Sequence, residues 1–178
     1  MDNFKRPQRV KQNNEFVFGI RAVIEAIKAG RDIETIYLQR GLAGDLFTEL
    51  KTLLHGTLIP LNSVPVEKLN RMSQKNHQGV IAVISPITYQ NIEDIIPTVF
   101  EKGETPLILI LDSVTDVRNM GAIARTAACV GVHAIVVPIK NAAQINADAI
   151  KTSAGALFSI PICRHDNLRK VCLFLQDS

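Results

Sequence analysis

Aromatic residues are scarce in this sequence of 178 residues: they make up 5% of the chain, and tryptophan is absent. This scarcity argues against a platform of stacked aromatic rings for single-stranded nucleic acid. There are three cysteines, Cys129, Cys163 and Cys172, and no C-x-x-C pair occurs. The sequence therefore predicts neither a disulfide framework nor a structural zinc site.

Long hydrophobic runs are also missing. Continuous apolar runs such as Leu107–Leu111 are far too short to cross a bilayer, and the first residues are polar and charged, unlike a signal peptide. We therefore expect a cytoplasmic protein. Hydrophobic residues nevertheless make up 47% of the chain, which is enough for a folded core.

The net charge of +3 is modest, but its position is informative. Residues 1–12 carry four basic side chains against one aspartate, so the charges of the remaining residues balance. We interpret residues 1–13 as a basic tail. Two readings stay open for this tail, contacts with RNA phosphates or a solvated terminus.

Residues 14–88 alternate between helix and strand patterns. Apolar residues at helical spacing predict helices over Gly19–Ala29 and Leu42–His55, and Gly30 is suited to end the first. The other predicted elements are strands at Ile33–Leu38, Leu58–Ile59 and Val80–Ile84, and a third helix that Ser63 caps and that runs from near Pro65 to near Gln74. This order predicts a small α/β sandwich.

A second unit is predicted over residues 106–178. Three prolines surround a weak helical pattern upstream of it, so we interpret residues 89–105 as a linker. The continuously apolar Leu107–Leu111 is typical of a strand covered on both faces of a parallel sheet. The elements predicted after it are a polar loop at Asp112–Asn119, a helix around Gly121–Val130, a strand at Val132–Val137, a short helix near Asn146–Ser153, a strand at Ile160–Cys163 and a helix from Asp166. Parallel strands with helical crossovers indicate an open α/β sheet.

The polar segment after Leu107–Leu111 is the best candidate for a ligand site, because ligands of open α/β sheets gather at the carboxyl ends of the strands. Asn119 lies where a helix begins, so it either caps the helix or presents its amide to a ligand. Arg125 lies six residues further on, or about 600° of helix, which is about 120° short of two full turns. The side chains of Asn119 and Arg125 therefore converge only if Asn119 belongs to the loop. Gly121 permits close approach of another backbone or of a ligand.

Two common nucleotide-binding signatures are absent. No G-x-G-x-x-G follows Leu107–Leu111, and no G-x-x-x-x-G-K-[ST] occurs in the chain. This disfavours a dinucleotide-dependent dehydrogenase and a P-loop NTPase.

Several segments together point to a known family. Residues 111–127 read LDSVTDVRNMGAIARTA, and residues 131–138 read GVHAIVVP. The two segments resemble motif 1 of the SpoU/TrmH family of RNA methyltransferases. Residues 143–147 and 152–156 resemble the next stretch of that family, and residues 18–23 and 77–82 resemble the ends of its L30e-like substrate-binding domain. The resemblance covers residues 16–165.

The resemblance implies transfer of a methyl group from S-adenosylmethionine to a ribose 2′-hydroxyl of structured RNA, with 23S rRNA favoured by the L30e-like domain. The asparagine and arginine of motif 1 match Asn119 and Arg125, which are therefore the expected catalytic residues. The expected RNA contacts are Arg21, His77, Gln78 and Arg118. For His77 and Gln78 the alternative is that they only shape a turn, and for the whole chain it is a non-catalytic RNA-binding module.

Nothing after Cys163 resembles the two later motifs of the family, which build the knot that holds the cofactor and much of the dimer interface. The expected fold is α/β: a small L30e-like α/β sandwich followed by an incomplete SPOUT-type parallel α/β sheet without the knot. We accordingly expect a chain truncated at its C-terminus, with the cofactor-binding loops missing. For the full-length family, the resemblance implies a homodimer.

Overall fold

The computed structural model describes residues 15–178, so the predicted basic tail at residues 1–13 lies outside the described residues. Two four-stranded sheets follow one another along the chain. Each sheet has helices on both faces and its own apolar core. In the described part of the chain, every helix is too short or too polar to span a lipid bilayer.

The first sheet is mixed and has the order β1-β4-β2-β3. Its strands are β1 (Phe16–Phe18), β2 (Ile33–Gln39), β3 (Leu61–Val64) and β4 (Val80–Ile84). Strand β4 runs antiparallel to β1 and β2, whereas β3 is parallel to β2. The helices are α1 (Ile20–Lys28) and α2 (Asp45–Leu54), which share a core on one face, and α3 (Val66–Met72), which packs on the other. The predicted α/β sandwich is confirmed.

One strand and one helix cap of this unit were predicted wrongly. The third strand lies at Leu61–Val64 rather than at Leu58–Ile59. Its position follows from contacts with β2, since the Ile36 N–H donates to the Pro60 carbonyl at 2.9 Å. Ser63 consequently lies inside β3 and cannot cap α3, whose N-cap is Pro65.

The second sheet is parallel throughout and has the order β5-β8-β7-β6. Its strands are β5 (Tyr89–Gln90), β6 (Ile108–Ile110), β7 (Ala134–Pro138) and β8 (Ile162–His165). The helices are α4 (Ile92–Glu101), α5 (Val117–Cys129), α6 (Ala147–Thr152) and α7 (Leu168–Asp177), with a 3₁₀ turn at Ala156–Phe158. Helices α5 and α6 pack on one face, and α4 and α7 on the other. The predicted open parallel sheet is confirmed.

Residues 89–105 are not an irregular linker. Strand β5 pairs with β8, and α4 buries Ile92, Ile96 and Val99 against the apolar side chains of β7. Pro97 lies inside α4, where it removes one helical hydrogen bond. The apolar face on both sides of Pro97 is buried against the sheet, and this packing stabilises the helix in spite of the lost bond.

The apolar run Leu107–Leu111 forms the edge of the second sheet. The three residues of β6 are half-buried, and Leu107 is 50% exposed. Leu109 contacts the core under α5, while Ile108 and Ile110 contact the core under α4. Both faces of the strand are therefore packed, but its burial is less complete than predicted because, within residues 15–178, it pairs on one side alone.

A buried ion pair joins the two sheets. Glu34 of β2 is 1% exposed and Arg164 of β8 is 8% exposed, and the Arg164 Nη2 lies 2.8 Å from the Glu34 Oε2. The Ile145 N–H donates to the Glu34 Oε1 at 2.9 Å. Arg164 also donates from Nη1 to the Ile33 carbonyl at 3.2 Å, which ties β8 to β2 a second time.

Tyr89 completes this cluster. Its hydroxyl donates to the Glu34 Oε2 at 2.6 Å and accepts from the Arg164 Nη2 at 2.7 Å. The guanidinium carbon of Arg164 lies 3.6 Å from the centre of the Tyr89 ring. Burial raises the pKa of Tyr89 well above its usual value, and the Glu34 carboxylate raises it further. Tyr89 therefore stays a hydrogen-bond donor well into alkaline solution.

Replacing Arg164 by methionine tests the contribution of this cluster. Arg164→Met leaves a buried carboxylate without its cation, so we expect the free energy of unfolding to fall by about 3–5 kcal/mol. Urea denaturation followed by circular dichroism measures this loss. The control is Lys28→Met, which breaks the exposed pair with Glu49 and is expected to leave the urea midpoint nearly unchanged. Equal losses in the two variants would contradict a structural role for the buried pair.

Candidate functional site

Helix α5 starts at the carboxyl end of β6, and Asp116 is its cap. The Asp116 carboxylate accepts the Asn119 N–H at 2.8 Å, as an N-cap residue does for the first turn of a helix. Asn119 is the third residue of α5, so of the two alternatives for Asn119, capping the helix is excluded. Its side chain is exposed and is not needed to hold the helix.

Asn119 borders a hollow of about 370 Å³ at the carboxyl end of β6. In this hollow, Ser113 has a left-handed backbone, with φ at 58°, and its hydroxyl donates to the Asp112 carboxylate at 3.0 Å. The lining residues are Ser113, Val114, Thr115, Asp116, Asn119, Ala122 and Ile123. The amide of Asn119 therefore faces a polar loop where ligands of open α/β sheets bind.

Arg125 does not share this hollow. Its side chain is exposed on α5 and is not among the residues that line the space beside Asn119. Both residues lie in α5, six positions apart. About 600° of helix is roughly 120° short of two full turns, so the two side chains point in directions about 120° apart. Convergence required Asn119 to belong to the loop, and this condition is not met because Asn119 lies in α5. Arg125 has no ion-pair partner among residues 15–178, so its charge is available to an external anion.

Gly121 allows α6 to lie directly against α5. A methyl group built on Gly121 would lie 2.7 Å from the Ala149 carbonyl oxygen and 2.8 Å from the Thr152 Cβ. Of the two possibilities that the sequence left open for Gly121, the structure therefore supports close approach of another backbone. This contact fixes the loop and helix around Asn119 against α6.

A second hollow, of about 470 Å³, lies at the carboxyl ends of β7 and β8. Its lining residues are Asp112, Pro138, Ile139, Lys140, Asn141, Asp166 and Leu168. Asp112 immediately precedes the loop beside Asn119. The carboxyl edge of the sheet thus carries two neighbouring polar hollows.

The four predicted RNA contacts lie in different environments. Arg21, Gln78 and Arg118 are exposed, and their contact with RNA stays a prediction. His77 is 8% exposed, and its Nδ1 accepts the Gly79 N–H at 3.0 Å. Its Nε2 then carries the proton and donates to the Asn70 Oδ1 at 2.8 Å. Both ring nitrogens are occupied, so His77 shapes the turn and does not offer a surface contact.

Sequence reasoning missed the buried cluster of Glu34, Tyr89 and Arg164. A signal was present, because Glu34 interrupts an apolar strand at a position where its neighbours Ile33 and Ile36 are buried. A charged residue in such a strand is buried only when it is paired. The sequence alone, however, did not show which of the distant basic residues would pair with it.

Two family models match the chain. Residues 16–90 match the model described as RNA 2′-O ribose methyltransferase substrate binding, and residues 106–178 match the SpoU rRNA methylase family. The Bacillus subtilis protein YacO, whose name places it in the TrmH family of tRNA/rRNA methyltransferases, is 34% identical over 90% of this chain and 65% of its own length. An uncharacterized tRNA/rRNA methyltransferase of Mycobacterium avium is 33% identical over 97% of this chain and 55% of its own length. The chain thus spans between about half and two thirds of these relatives.

Solved structures resemble the chain more distantly. The SpoU methyltransferase AviRb from Streptomyces viridochromogenes aligns over 92% of this chain and 58% of its own, with a TM-score of 0.43 and 23% identity. An AdoMet-bound rRNA methyltransferase from Sinorhizobium meliloti aligns over 92% of this chain and 57% of its own, with a TM-score of 0.43 and 22% identity.

Substituting Gly121 tests the packing of α5 on α6. In an unobstructed helix, alanine in place of glycine stabilises by about 0.5–1 kcal/mol. Here the added methyl group overlaps the Ala149 carbonyl, so we expect Gly121→Ala to destabilise by about 1–3 kcal/mol in urea denaturation. Thr126→Ala, on the exposed face of the same helix, is the control and should change stability by at most about 0.5 kcal/mol. A stabilised Gly121→Ala variant would show that α6 does not need this close approach.

Proposed function

Because this chain belongs to the SpoU/TrmH family of RNA methyltransferases, we propose that it forms part of an enzyme that methylates a ribose 2′-hydroxyl of structured RNA with S-adenosylmethionine. The observation that carries the proposal is the start of α5. There, an exposed Asn119 amide faces a hollow at the carboxyl edge of a parallel sheet, inside the segment that matches the methylase model. We further propose 23S rRNA as the substrate, on the strength of the L30e-like first unit. Homodimerisation stays a prediction.

Asn119 and Arg125 take separate roles in this proposal. The Asn119 amide can both donate and accept a hydrogen bond, which suits it to hold a ribose hydroxyl. A guanidinium group holds its proton tightly and is a poor base. Arg125 is therefore better suited to bind an RNA phosphate and to stabilise the negative charge that develops on the ribose oxygen. Arg125 forms no ion pair with the residues that the structure describes, which leaves it free to do so.

The two hollows at the carboxyl edge do not fit the adenosine of S-adenosylmethionine. An adenine ring needs an enclosed, largely apolar slot, whereas the two hollows at the carboxyl edge are open and carry Asp112, Lys140 and Asp166. The same observation favours a second candidate function, a non-catalytic RNA-binding module.

Methyl transfer to ribosomal RNA tests the proposal. The gene product that contains this chain is incubated with tritiated S-adenosylmethionine and ribosomal RNA, and alkaline hydrolysis follows. A methylated 2′-hydroxyl cannot attack the neighbouring phosphodiester, so the label should remain in alkali-resistant dinucleotides. Arg125→Ala is expected to lower kcat by at least about 100-fold through the loss of charge stabilisation. Its RNA affinity should stay within about threefold, since one phosphate contact contributes little to the total.

Arg169→Ala, on the exposed face of α7, is the matched control and should keep normal turnover. Normal turnover of Arg125→Ala would remove Arg125 from the catalytic residues. RNA binding without any methyl transfer by the unaltered protein would favour the non-catalytic module instead.

A further inference from the structure

A groove of about 660 Å³ lies between the two sheets. One wall comes from the first sheet and α3, with Arg40, Asn62 and Lys68. The opposite wall is the segment that follows β7, with Lys140 and Gln144. The groove is therefore formed only when both units are in place.

Three cations in the groove form no ion pair with a carboxylate in the described part of the chain. Its lining residues include four basic side chains and one carboxylate, and Glu34 is already paired with Arg164. Arg40, Lys68 and Lys140 form no ion pair within the described residues 15–178. Like charges that line a concave surface concentrate the electrostatic potential and attract anions. Three cations that form no ion pair within residues 15–178 are thus concentrated in one groove.

Contacts across the groove hold its walls in position. The Lys68 Nζ lies 5.3 Å from the centre of the Tyr37 ring. The Tyr37 hydroxyl in turn accepts a hydrogen bond at 2.8 Å from the Nε2 of Gln144, which belongs to the other wall. Since Gln144 immediately precedes Ile145, whose N–H donates to Glu34, the buried cluster also fixes this wall. The cations are therefore displayed on a preformed surface.

The groove leads to the candidate site. Lys140 and Asn141 line both the groove and the hollow at the carboxyl ends of β7 and β8. Asp112 lines that hollow, and the next residue, Ser113, lines the hollow that Asn119 borders. A ligand that lies along the groove therefore passes from the first unit to the start of α5.

We propose that this groove binds the sugar–phosphate backbone of the substrate RNA and guides the strand toward Asn119. Lysine and arginine side chains pair with phosphates, and the amides of Asn62, Asn141 and Gln144 suit ribose hydroxyls and base edges. Tyr37 is the one aromatic residue among the described residues that line the groove, and the Lys68 Nζ lies over its ring, which favours backbone contacts over base stacking. This inference rests on the proposed function, because that function supplies RNA as the ligand.

The salt dependence of RNA binding tests the groove. The triple variant Arg40→Gln, Lys68→Gln and Lys140→Gln is compared with the unaltered 178-residue chain by fluorescence anisotropy with a fluorescein-labelled stem–loop RNA. Each phosphate contact makes the slope of log K against log salt more negative by roughly 0.7–0.9. The slope of the triple variant should therefore be less steep by about 2–3. We also expect the affinity at about 50 mM salt to fall at least about tenfold.

The control variant removes the same number of charges elsewhere, by Lys51→Gln, Lys102→Gln and Arg169→Gln. These side chains are exposed and lie outside the groove, so the slope should change by less than about 0.5. Circular dichroism and melting temperature verify that both triple variants are folded.

Two results would overturn the groove assignment while leaving the proposed function intact. Equal slopes for the two triple variants would show that RNA contacts are spread over the surface. Displacement of the RNA by polyglutamate at equal charge concentration would assign the groove to an acidic polypeptide. Absence of RNA binding by the unaltered chain would overturn the groove assignment, and it would also remove RNA binding by residues 1–178 from the proposed function. The methyl-transfer result for Arg125→Ala and the RNA-binding result for the groove are independent of each other.

Discussion

The ion pair between Glu34 and Arg164 lies where the two sheets meet, and the surfaces that both sheets form depend on it. A carboxylate this deeply buried is costly unless each of its oxygens is satisfied. Here the Glu34 Oε2 pairs with Arg164 and accepts a hydrogen bond from the Tyr89 hydroxyl, and the Oε1 accepts one from the Ile145 N–H. Because hydrogen bonds and ion pairs are directional, the cluster defines one relative position of the sheets. The groove between them follows from that position.

Local packing sets the geometry of the candidate site in a similar way. Asp116 fixes the first turn of α5, and Gly121 brings α6 within contact of its second turn. These constraints leave Asn119 free to face the hollow while turning Arg125 elsewhere. In the proposed function, the amide therefore acts in the hollow and the guanidinium acts on an anion outside it.

Periodic apolar patterns predicted the regular elements well, because burial of one face is a local property of the sequence. Helix α1 and strand β4 were found where Val23, Ile24 and Val80 indicated a core. Predictions failed where a distant partner decides the structure. Tyr89 belongs to a strand because it pairs with Ile162, and no pattern near Tyr89 indicates this.

The candidate site was predicted only in part, because local sequence patterns determine some of its features and distant contacts determine the others. The loop after β6 and its position at the edge of a parallel sheet follow from the order of the elements. The sequence left open whether Asn119 caps α5, because aspartate and asparagine are both good N-cap residues; the cap is Asp116. The basic groove could not be predicted, since Lys68 and Lys140 are brought together only by the docking of the two units.

Amide hydrogen exchange at Ile145 tests most directly whether Glu34 holds the two sheets together. Ile145 lies outside any helix or strand, and its N–H donates to the Glu34 Oε1 at 2.9 Å across the two units. If the sheets form one body, this amide exchanges as slowly as the buried amides of β7. Exchange of the Ile145 amide as fast as that of the exposed Asn141 would show that the sheets separate readily, and would contradict the account.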